Sequence, residues 1–261
     1  MLQESPPTCR VIGFPVTALP VDAQTTLMFD WAKQRLSKLV CFANVHMLVE
    51  GYRSSSFANI LRTADLVAPD GVPLVWMLRL LGVTHQERVA GMDLLPALCK
   101  LAPAHDVSIF FLGSDQKTLD LMRARLDQDC PDLKIAGMEP LPFRPLTPAE
   151  DEALIQKLNQ SGAGIVMVSL GCPKQEIWIA QHKGRVHAVM LGLGAAFPVY
   201  ARTRTMAPQL IRSSGLEWLY RLGQEPRRLW QRYTSTVPLF MWLALKQLIA
   251  RRDQRLDRYG Q

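Results

Sequence analysis

IVMVSLGCPKQEIW, residues 165–178, carries the clearest structural signal in the chain. A continuous apolar run, Ile165 to Leu170, meets a Gly-Cys-Pro turn and then a polar helix start, where Pro173 occupies a position that has no need of a backbone N–H. This pattern predicts a β-strand that delivers Gln175 and Glu176 to the carboxyl edge of a parallel sheet. Open α/β sheets bind their ligands at that edge.

Strands and helices alternate on both sides of this stretch. Apolar runs predict strands, and segments with helical spacing predict helices between them. The predicted strands are 39–43, 65–68, 107–112, 133–138, 165–170 and 186–191, and the predicted helices are 21–39, 45–61 (broken at Ser54 to Ser56), 72–81, 92–102, 115–130, 147–160 and 174–181.

Strands that alternate with helices imply parallel pairing and right-handed crossovers. We therefore predict a Rossmann-like α/β domain over residues 1–200, with a mostly parallel sheet and helices on both faces. The polar, proline-containing start suggests no element before Val21. Residues 201–261 are predicted to form a helical appendage rich in basic and aromatic residues.

Composition narrows the class of protein. A chain of 261 residues that is 48% hydrophobic can bury a full core, and its formal charge of +7 favours anionic partners such as phosphates, nucleic acid or acidic lipid. Five scattered cysteines without a CxxC pair fit a reducing cytosol. We see no secretory signal and no run of the roughly 18 to 20 apolar residues needed to span a bilayer.

Asp70 and Arg88 are charged residues in predicted loops beside helix starts. Asp70 follows a strand in APDGVPLVW, so its carboxylate can either accept a proton from an approaching hydroxyl or cap the next helix. Arg88, in ERVAGMDLL, can hold a phosphate with two parallel hydrogen bonds, or pair with Glu87 on the surface. Asp93, in the same segment, is expected to cap the helix that follows.

Gln175 both donates and accepts hydrogen bonds, which suits sugar hydroxyls or the edge of a uracil. Glu176 lies near the third helical position, where the helix dipole alone favours a carboxylate. Gly192 and Gly194 follow a predicted strand as a G-x-G without the third glycine of a dinucleotide fingerprint. That turn predicts either a tight bend or a nucleotide contact.

The C-terminal segment combines arginines with aromatic residues. Glu217 and Arg221 stand at i and i+4, but such an exposed helix pair is worth only about 0.3–0.5 kcal/mol and cannot account for so many arginines. Val237 to Ala250 runs into RRDQR, which is typical of a helix in a membrane interface or of a core-packing helix with a solvated end. No RRM, helix-turn-helix or zinc signature supports nucleic-acid binding.

Four motifs together resemble one family. APDG at 68–71, ERVAG at 87–91, the stretch 165–178 and GLEWLYRL at 215–222 are similar, in this order, to the WecG/TagA/CpsF glycosyltransferases, glycosyltransferase family 26. The resemblance implies an inverting enzyme that moves a sugar from a UDP-sugar to a polyprenyl-diphosphate-linked saccharide in bacterial surface or exopolysaccharide biosynthesis. It also implies a cytoplasmic protein, peripheral at the inner face of the cell membrane, that contacts the bilayer through its C-terminal segment.

The resemblance further suggests roles for individual residues. Asp70 is the aspartate of the family's PDG motif and is the expected general base. The arginines of the C-terminal segment resemble a lid that closes over the diphosphates. The expected substrate-binding residues are Asn44, Arg88, Gln175, Gly192, Gly194, Arg221, Arg228 and Arg232.

No metal or other cofactor is expected. Asp127 and Asp129 form a literal DxD, but they lie within a predicted helix, and the histidines show no ligand spacing. One position departs from the family, because many relatives have Thr-x-Asn where this chain has Phe42-Ala43-Asn44. Phe42 cannot replace a hydroxyl, which points to a different donor sugar and, weakly, to an exopolysaccharide enzyme.

Two other classes of protein stay open at this stage. The hypothesis of a nicotinamide-dependent oxidoreductase rests only on the α/β alternation and on GLG at 192–194. The sequence lacks the full glycine fingerprint and the suitably placed acidic residue that follows it in such enzymes. A non-catalytic basic membrane adaptor would keep its binding after the loss of Asp70 and Gln175. The sequence leaves the donor sugar, the acceptor glycan and the oligomeric state open.

Overall fold

The apolar runs predicted as strands form a parallel sheet in the computed structural model, which describes residues 6–142 and 144–259, with side chains described except at 213, 228 and 252–259. The strands are β1 Thr8–Val11, β2 Phe14–Thr17, β3 Lys38–Ala43, β4 Leu66–Pro69, β5 Ile109–Gly113, β6 Ile135–Glu139, β7 Ile165–Ser169 and β8 Val189–Gly192. Within the described ranges, the main sheet has six strands in the order β4-β3-β8-β7-β5-β6, and every pair is parallel.

Helices cover both faces of this sheet, as predicted. They are α1 Val21–Lys33, α2 Val45–Arg53, α3 Ser55–Thr63, α4 Val72–Leu80, α5 Gly91–Leu101, α6 Gln116–Asp129, α7 Pro148–Gln160, α8 Lys174–His182, α9 Ala196–Tyr200, α10 Gln209–Ser213, α11 Glu217–Gln224 and α12 Pro226–Tyr259. The break predicted near the serines is real, because the Ser54 hydroxyl accepts a hydrogen bond from the N–H of Phe57 and caps α3.

Burial on two faces explains why the strands are continuous apolar runs. In β3, Leu39 and Cys41 enter the core shared with α2, α3, α4, α7 and α8, whereas Val40 and Phe42 enter the core shared with α1, α5, α6 and α9. Strands that are buried on both sides lose the alternation of polar and apolar residues that marks a half-exposed strand. The predicted α/β fold is therefore confirmed.

The N-terminal region differs from the prediction, which placed no element there. β1 and β2 form an antiparallel hairpin that contacts β4, and the hydroxyl of Thr17 accepts a hydrogen bond from the N–H of Val67. The hairpin thus covers the free edge of the main sheet. Its strands have only four residues each and include Pro15, so the alternation that predicts a strand is too short to be recognised in the sequence.

Helix α12 packs along the sheet domain through one face. Phe240 and Ala244 are buried in the core that also contains residues of α2. The Gln247 side chain accepts a hydrogen bond from the N–H of Ile12 (2.7 Å) and donates one to the carbonyl of Arg10 (2.6 Å), so the helix is also tied to the hairpin. No helix in the described ranges combines the length and apolar character that a membrane span requires.

Docking of α12 can be tested with two adjacent side chains. Phe240 is 2% exposed and Met241 is 61% exposed. We expect Phe240→Ala to lower the free energy of unfolding by roughly 3 kcal/mol or more, because it leaves a cavity between the helix and the core. Met241→Ala is the matched control, and its effect should stay within about 0.5 kcal/mol. Urea unfolding measures both, and similar small losses would contradict the packing.

Candidate active site

Asp70, Asn44 and Gly192 lie at the carboxyl ends of three neighbouring strands, β4, β3 and β8. The backbone N–H groups of Asp70 and Gly71 both donate to the carbonyl of Ala43, at 2.9 and 3.2 Å, so the loop after β4 is fastened to the end of β3. Parallel sheets of this kind bind ligands at this edge. The candidate site therefore begins here.

The side chain of Asp70 does not cap the helix that follows it. Helix α4 has Gly71 at its N-cap and no side-chain cap, so the capping alternative is wrong. Instead, Asp70 Oδ1 accepts a hydrogen bond from Arg88 Nη2 at 3.2 Å, and the Asp70 carbonyl accepts one from Arg88 Nε. The Asp70 side chain is 25% exposed, which leaves it accessible from the surface.

The surroundings of Asp70 shift the pKa of its carboxylate in two opposing directions. Burial raises its pKa above the ordinary value, the nearby charge of Glu217 raises the pKa further, and Arg88 and Arg221 oppose the rise. A carboxylate with a raised pKa is a stronger base than a solvated aspartate. Asp70 thus has the geometry and the charge environment of a proton acceptor.

Arg88 connects Asp70 to the C-terminal segment, and its predicted alternative pairing with Glu87 is wrong. Arg88 Nη2 donates to Glu217 Oε2 at 2.7 Å, and Arg221 Nη2 pairs with Glu217 Oε1 at 2.8 Å, as the i, i+4 spacing predicted. Arg221 also lies 3.3 Å from the sulfur of Met92. The structure therefore brings Asp70, Arg88 and Arg221 together, and the carboxylate that links the two arginines is Glu217.

A cleft of about 340 Å³ opens beside these residues. Its walls combine guanidinium groups with apolar side chains, and they are formed by Val72, Val75, Trp76, Arg79, Arg88, Asp93, Gln209 and Arg212. Such a lining suits an anionic group attached to an apolar or sugar moiety.

Asp93 lies in this cleft and does not cap α5, contrary to the prediction. The helix has no side-chain cap, and Asp93 Oδ1 instead accepts a hydrogen bond from Arg212 Nη1 at 2.6 Å. Neither Glu217 nor Arg212 is among the site residues predicted individually. Both lie in the arginine-rich stretch, but their partners Arg88 and Asp93 are more than 100 residues away along the chain, where no local pattern could indicate them.

Gln175 lies at a second place on the same sheet edge, after β7. It is 4% exposed, its Oε1 accepts from the N–H of Gly171 at 3.0 Å, and its Nε2 donates to Glu176 Oε1 at 2.8 Å. Helix α8 begins at Lys174, and Pro173 occupies its N-cap position. Contacts with the described residues use one donor and one acceptor position of the Gln175 amide, so among these residues one of each remains without a partner.

Gly192 and Gly194 pack directly against Gln175. A Cβ atom at Gly192 would lie 2.9 Å from Gln175 Nε2 and 3.0 Å from Glu176 Oε1, and one at Gly194 would lie 3.0 Å from Gln175 Oε1. Gly194 also has a positive φ of 45°. Close approach of α8 therefore explains both glycines, and the three residues form one unit at the ends of β7 and β8.

The remaining predicted residues lie around these two groups. Asn44 Oδ1 accepts from the N–H of Met47 at 3.1 Å and caps α2, with its Cα and Cβ beside Gly71. Arg232 lies on α12 on the Gln175 side, where its charge opposes the rise that burial causes in the pKa of Glu176 and adds to the fall that burial causes in the pKa of His46. The side chain of Arg228 lies outside the described residues.

Phe42 packs in the core, and the two aspartates of the DxD sequence form ion pairs on a helix. Phe42 is buried in the core beneath Gly91, so this position serves packing. Asp127 and Asp129 pair with Arg123 and Arg125 along α6. In the part of the chain that the structure describes, no group of three or more histidine, cysteine, aspartate or glutamate side chains is arranged to hold a metal ion.

Comparison with known proteins places the chain among the glycosyltransferases. The model of the glycosyl transferase WecG/TagA/CpsF family matches residues 9–254, and the chain belongs to this family. The sequence is 29% identical to an N-acetylglucosaminyldiphosphoundecaprenol N-acetyl-beta-D-mannosaminyltransferase of Bacillus spizizenii, over 87% of this chain and 88% of the relative. Proteins of the same name from Bacillus subtilis (27% identity, 87% and 88% coverage) and Staphylococcus aureus strain MW2 (24%, 88% and 92%) are also similar.

The burial of Glu176 can be tested through the pH dependence of the free energy of unfolding. Burial raises its pKa from 4.5 to about 7, while hydrogen bonds and the charge of Arg232 oppose the rise. The folded state therefore holds a proton that the unfolded state releases, so the free energy of unfolding should fall as pH rises from about 4.5 through about 7, by on the order of 3 kcal/mol.

We expect Glu176→Gln to remove this fall, because the amide stays neutral and can still accept from Gln175. Urea unfolding at several pH values measures the difference. Glu152→Gln, which changes an exposed carboxylate, is the control and should keep the wild-type pH dependence. An unchanged slope in Glu176→Gln would contradict the assignment.

Proposed function

We propose that this glycosyltransferase moves a sugar from a UDP-sugar to a saccharide carried on a polyprenyl diphosphate, with inversion at the anomeric carbon. The observation that carries the proposal is the Asp70–Arg88 pair at the carboxyl edge of the sheet, beside a cleft lined by three guanidinium groups. The names of the relatives support the same acceptor chemistry and make N-acetylmannosamine the first donor sugar to test.

Asp70 acts in this proposal as the general base. Its carboxylate takes the proton of an acceptor hydroxyl while that oxygen attacks the anomeric carbon of the donor. The bond from this carbon to the diphosphate breaks, and its electron pair leaves with UDP. A single displacement inverts the configuration, and the raised pKa of Asp70 suits the proton transfer.

Arginine side chains stabilise the leaving diphosphate. Arg88 and Arg221 lie beside Asp70, and Arg212 lines the same cleft. Guanidinium groups match phosphate oxygens in geometry and charge, so they can provide the stabilisation that other sugar transferases obtain from a divalent ion. We therefore propose a reaction that needs no metal, with Arg228 and Arg232 as further candidates from the same segment.

The nucleotide end of the donor is proposed to lie over β7 and β8. Gln175 keeps one N–H and one lone pair for a ligand, and the backbone of Gly192 and Gly194 borders it. Asn44 lies on the strand between this unit and Asp70, at the end of β3. A donor placed here would extend its sugar toward the general base.

Helix α12 is the proposed membrane contact. Its buried face packs on the core, while an exposed face carries large apolar side chains at Val237, Met241, Trp242, Leu245 and Ile249. Lys246 and Arg251 lie on the same helix. An amphipathic basic helix binds the interface of an anionic membrane, and a lipid-linked acceptor would be found there. We propose peripheral binding at the cytoplasmic face.

The catalytic proposal predicts the behaviour of Asp70→Asn. The amide can still accept a hydrogen bond from Arg88 but cannot take a proton, so turnover should fall by about 100- to 10,000-fold while UDP binding stays nearly unchanged. Sugar transfer can be measured with UDP-N-acetylmannosamine, its uronic acid and UDP-glucose on a polyprenyl-diphosphate-linked N-acetylglucosamine, and UDP binding by calorimetry. Asp127→Asn, an exposed aspartate of the DxD pair, is the control. Normal turnover of Asp70→Asn would refute the role of the base.

The membrane proposal predicts weaker vesicle binding for a Trp242→Glu/Leu245→Glu variant. Both side chains are more than half exposed, so the change should spare the fold and lower partitioning at least tenfold. Cosedimentation with phosphatidylglycerol-containing vesicles measures this loss. Leu101→Glu, at an exposed leucine of α5, should bind as the wild type does, and equal binding of all three proteins would exclude α12 as the contact.

A further inference from the structure

Glu217 is a carboxylate without a role in the proposed chemistry, yet it lies at the centre of the site. It comes from α11, and its side chain is only 13% exposed. Each of its oxygens pairs with a different arginine, Oε2 with Arg88 at 2.7 Å and Oε1 with Arg221 at 2.8 Å. The contact with Arg88 joins residues 129 positions apart in the chain.

The contacts of Arg88 show which of its nitrogens Glu217 helps to hold in place. Nε donates to the Asp70 carbonyl, and Nη2 is shared between Asp70 Oδ1 and Glu217 Oε2. Nη1 has no hydrogen-bond partner among the described residues, and Arg88 lines the cleft. Because a guanidinium is rigid and planar, fixing Nε and Nη2 also fixes the direction of Nη1.

Glu217 also limits how strongly Arg88 acts on the base. The Nη2 contact with Asp70 is 3.2 Å long, whereas the contact with Glu217 is 2.7 Å. If the glutamate were neutral, Arg88 would stabilise the ionised carboxylate of Asp70 more strongly, which would lower the pKa of Asp70 and make it a weaker base. Burial raises the pKa of Asp70, and the charge of Glu217 raises it further, in agreement with this geometry.

We propose that Glu217 is a positioning residue, which holds the Arg88 guanidinium so that Nε and Nη2 bind the protein and Nη1 is left for an anionic oxygen of the substrate. The carboxylate acts through Arg88 and Arg221 and does not touch the reacting atoms. The proposal rests on the proposed function for its kinetic consequences, but the orientation of Arg88 can be tested without substrate.

A nearby ion pair provides a matched control. Glu225 follows α11, and its Oε1 pairs with Arg204 at 2.6 Å, within the C-terminal segment and without a contact to Arg88. Glu217→Gln and Glu225→Gln therefore make the same chemical change in the same segment, and each removes a carboxylate charge that faces arginine side chains. Only the first alters a carboxylate that reaches the sheet edge.

The substrate-free test is labelling with phenylglyoxal, which modifies accessible arginines, followed by mass spectrometry of the peptides. In Glu217→Gln, Arg88 and Arg221 should react several times faster than in the wild type, because each loses a charged partner. Glu225→Gln should speed the labelling of Arg204 and leave Arg88 unchanged. Glu217→Asp, which keeps the charge on a shorter side chain, should label Arg88 at an intermediate rate. Equal labelling of Arg88 in Glu217→Gln and the wild type would overturn the proposal.

The kinetic test separates positioning from a general structural role. Misplacement of Arg88 by about 1 Å should lower kcat of Glu217→Gln by roughly 10- to 100-fold, with a smaller change in KM for the donor. Loss of the Glu217 charge should also move the acidic limb of the pH–rate profile to lower pH, because the pKa of Asp70 falls. Glu225→Gln should change neither quantity.

The two tests fail in different ways. If the wild-type protein transfers no sugar, the proposed function is wrong, and the labelling result alone still decides whether Glu217 orients Arg88. If the wild type is active and Glu217→Gln keeps its kcat and pH profile, the positioning role is wrong while the proposed function stands. A Glu217→Gln variant whose kcat falls without a shift of the acidic limb would likewise contradict the positioning of Arg88 against Asp70.

Discussion

The guanidinium of Arg88 is the point at which the sheet and the C-terminal segment meet. It binds the backbone and side chain of Asp70 on one side and the carboxylate of Glu217 on the other. Because the N–H donors of a guanidinium have fixed directions, Arg88 holds Asp70 and Glu217 at a defined distance and angle from each other. The C-terminal segment beyond residue 201 therefore reaches the proposed base through Arg88.

Charge balance around this group has a physical consequence for substrate binding. Arg88, Arg212 and Arg221 are matched by three carboxylates of the protein, those of Asp70, Asp93 and Glu217. In the absence of a ligand, the partly buried arginines are thus compensated, which limits the cost of removing them from water. A diphosphate bound there, as proposed, would share these guanidinium groups with the carboxylates, so its affinity would depend on small changes in their geometry.

The sequence predicted the sheet well because strands buried on both faces are continuous apolar runs, as in 165–169. Its motifs indicated Asp70 and Arg88 as candidate site residues, but not the contact between Arg88 and Glu217, since contacts across 129 residues leave no local pattern. Gln175 was correctly placed at the sheet edge, yet its burial against two glycines depends on how α8 packs. The capping predicted for Asp93 failed because Arg212 offers a charged partner.

The β1–β2 hairpin, which the sequence pattern did not predict, connects β4 with the C-terminal helix α12. Thr17 is hydrogen-bonded to β4, whose last residue precedes Asp70, and Gln247 of α12 is hydrogen-bonded to Arg10 in β1 and to Ile12 in the turn. An uncovered strand edge invites pairing with other chains. Removal of the hairpin or of the end of α12 that holds it would accordingly loosen the cover of β4, and self-association through the exposed edge of that strand is the defect we expect in such truncated forms.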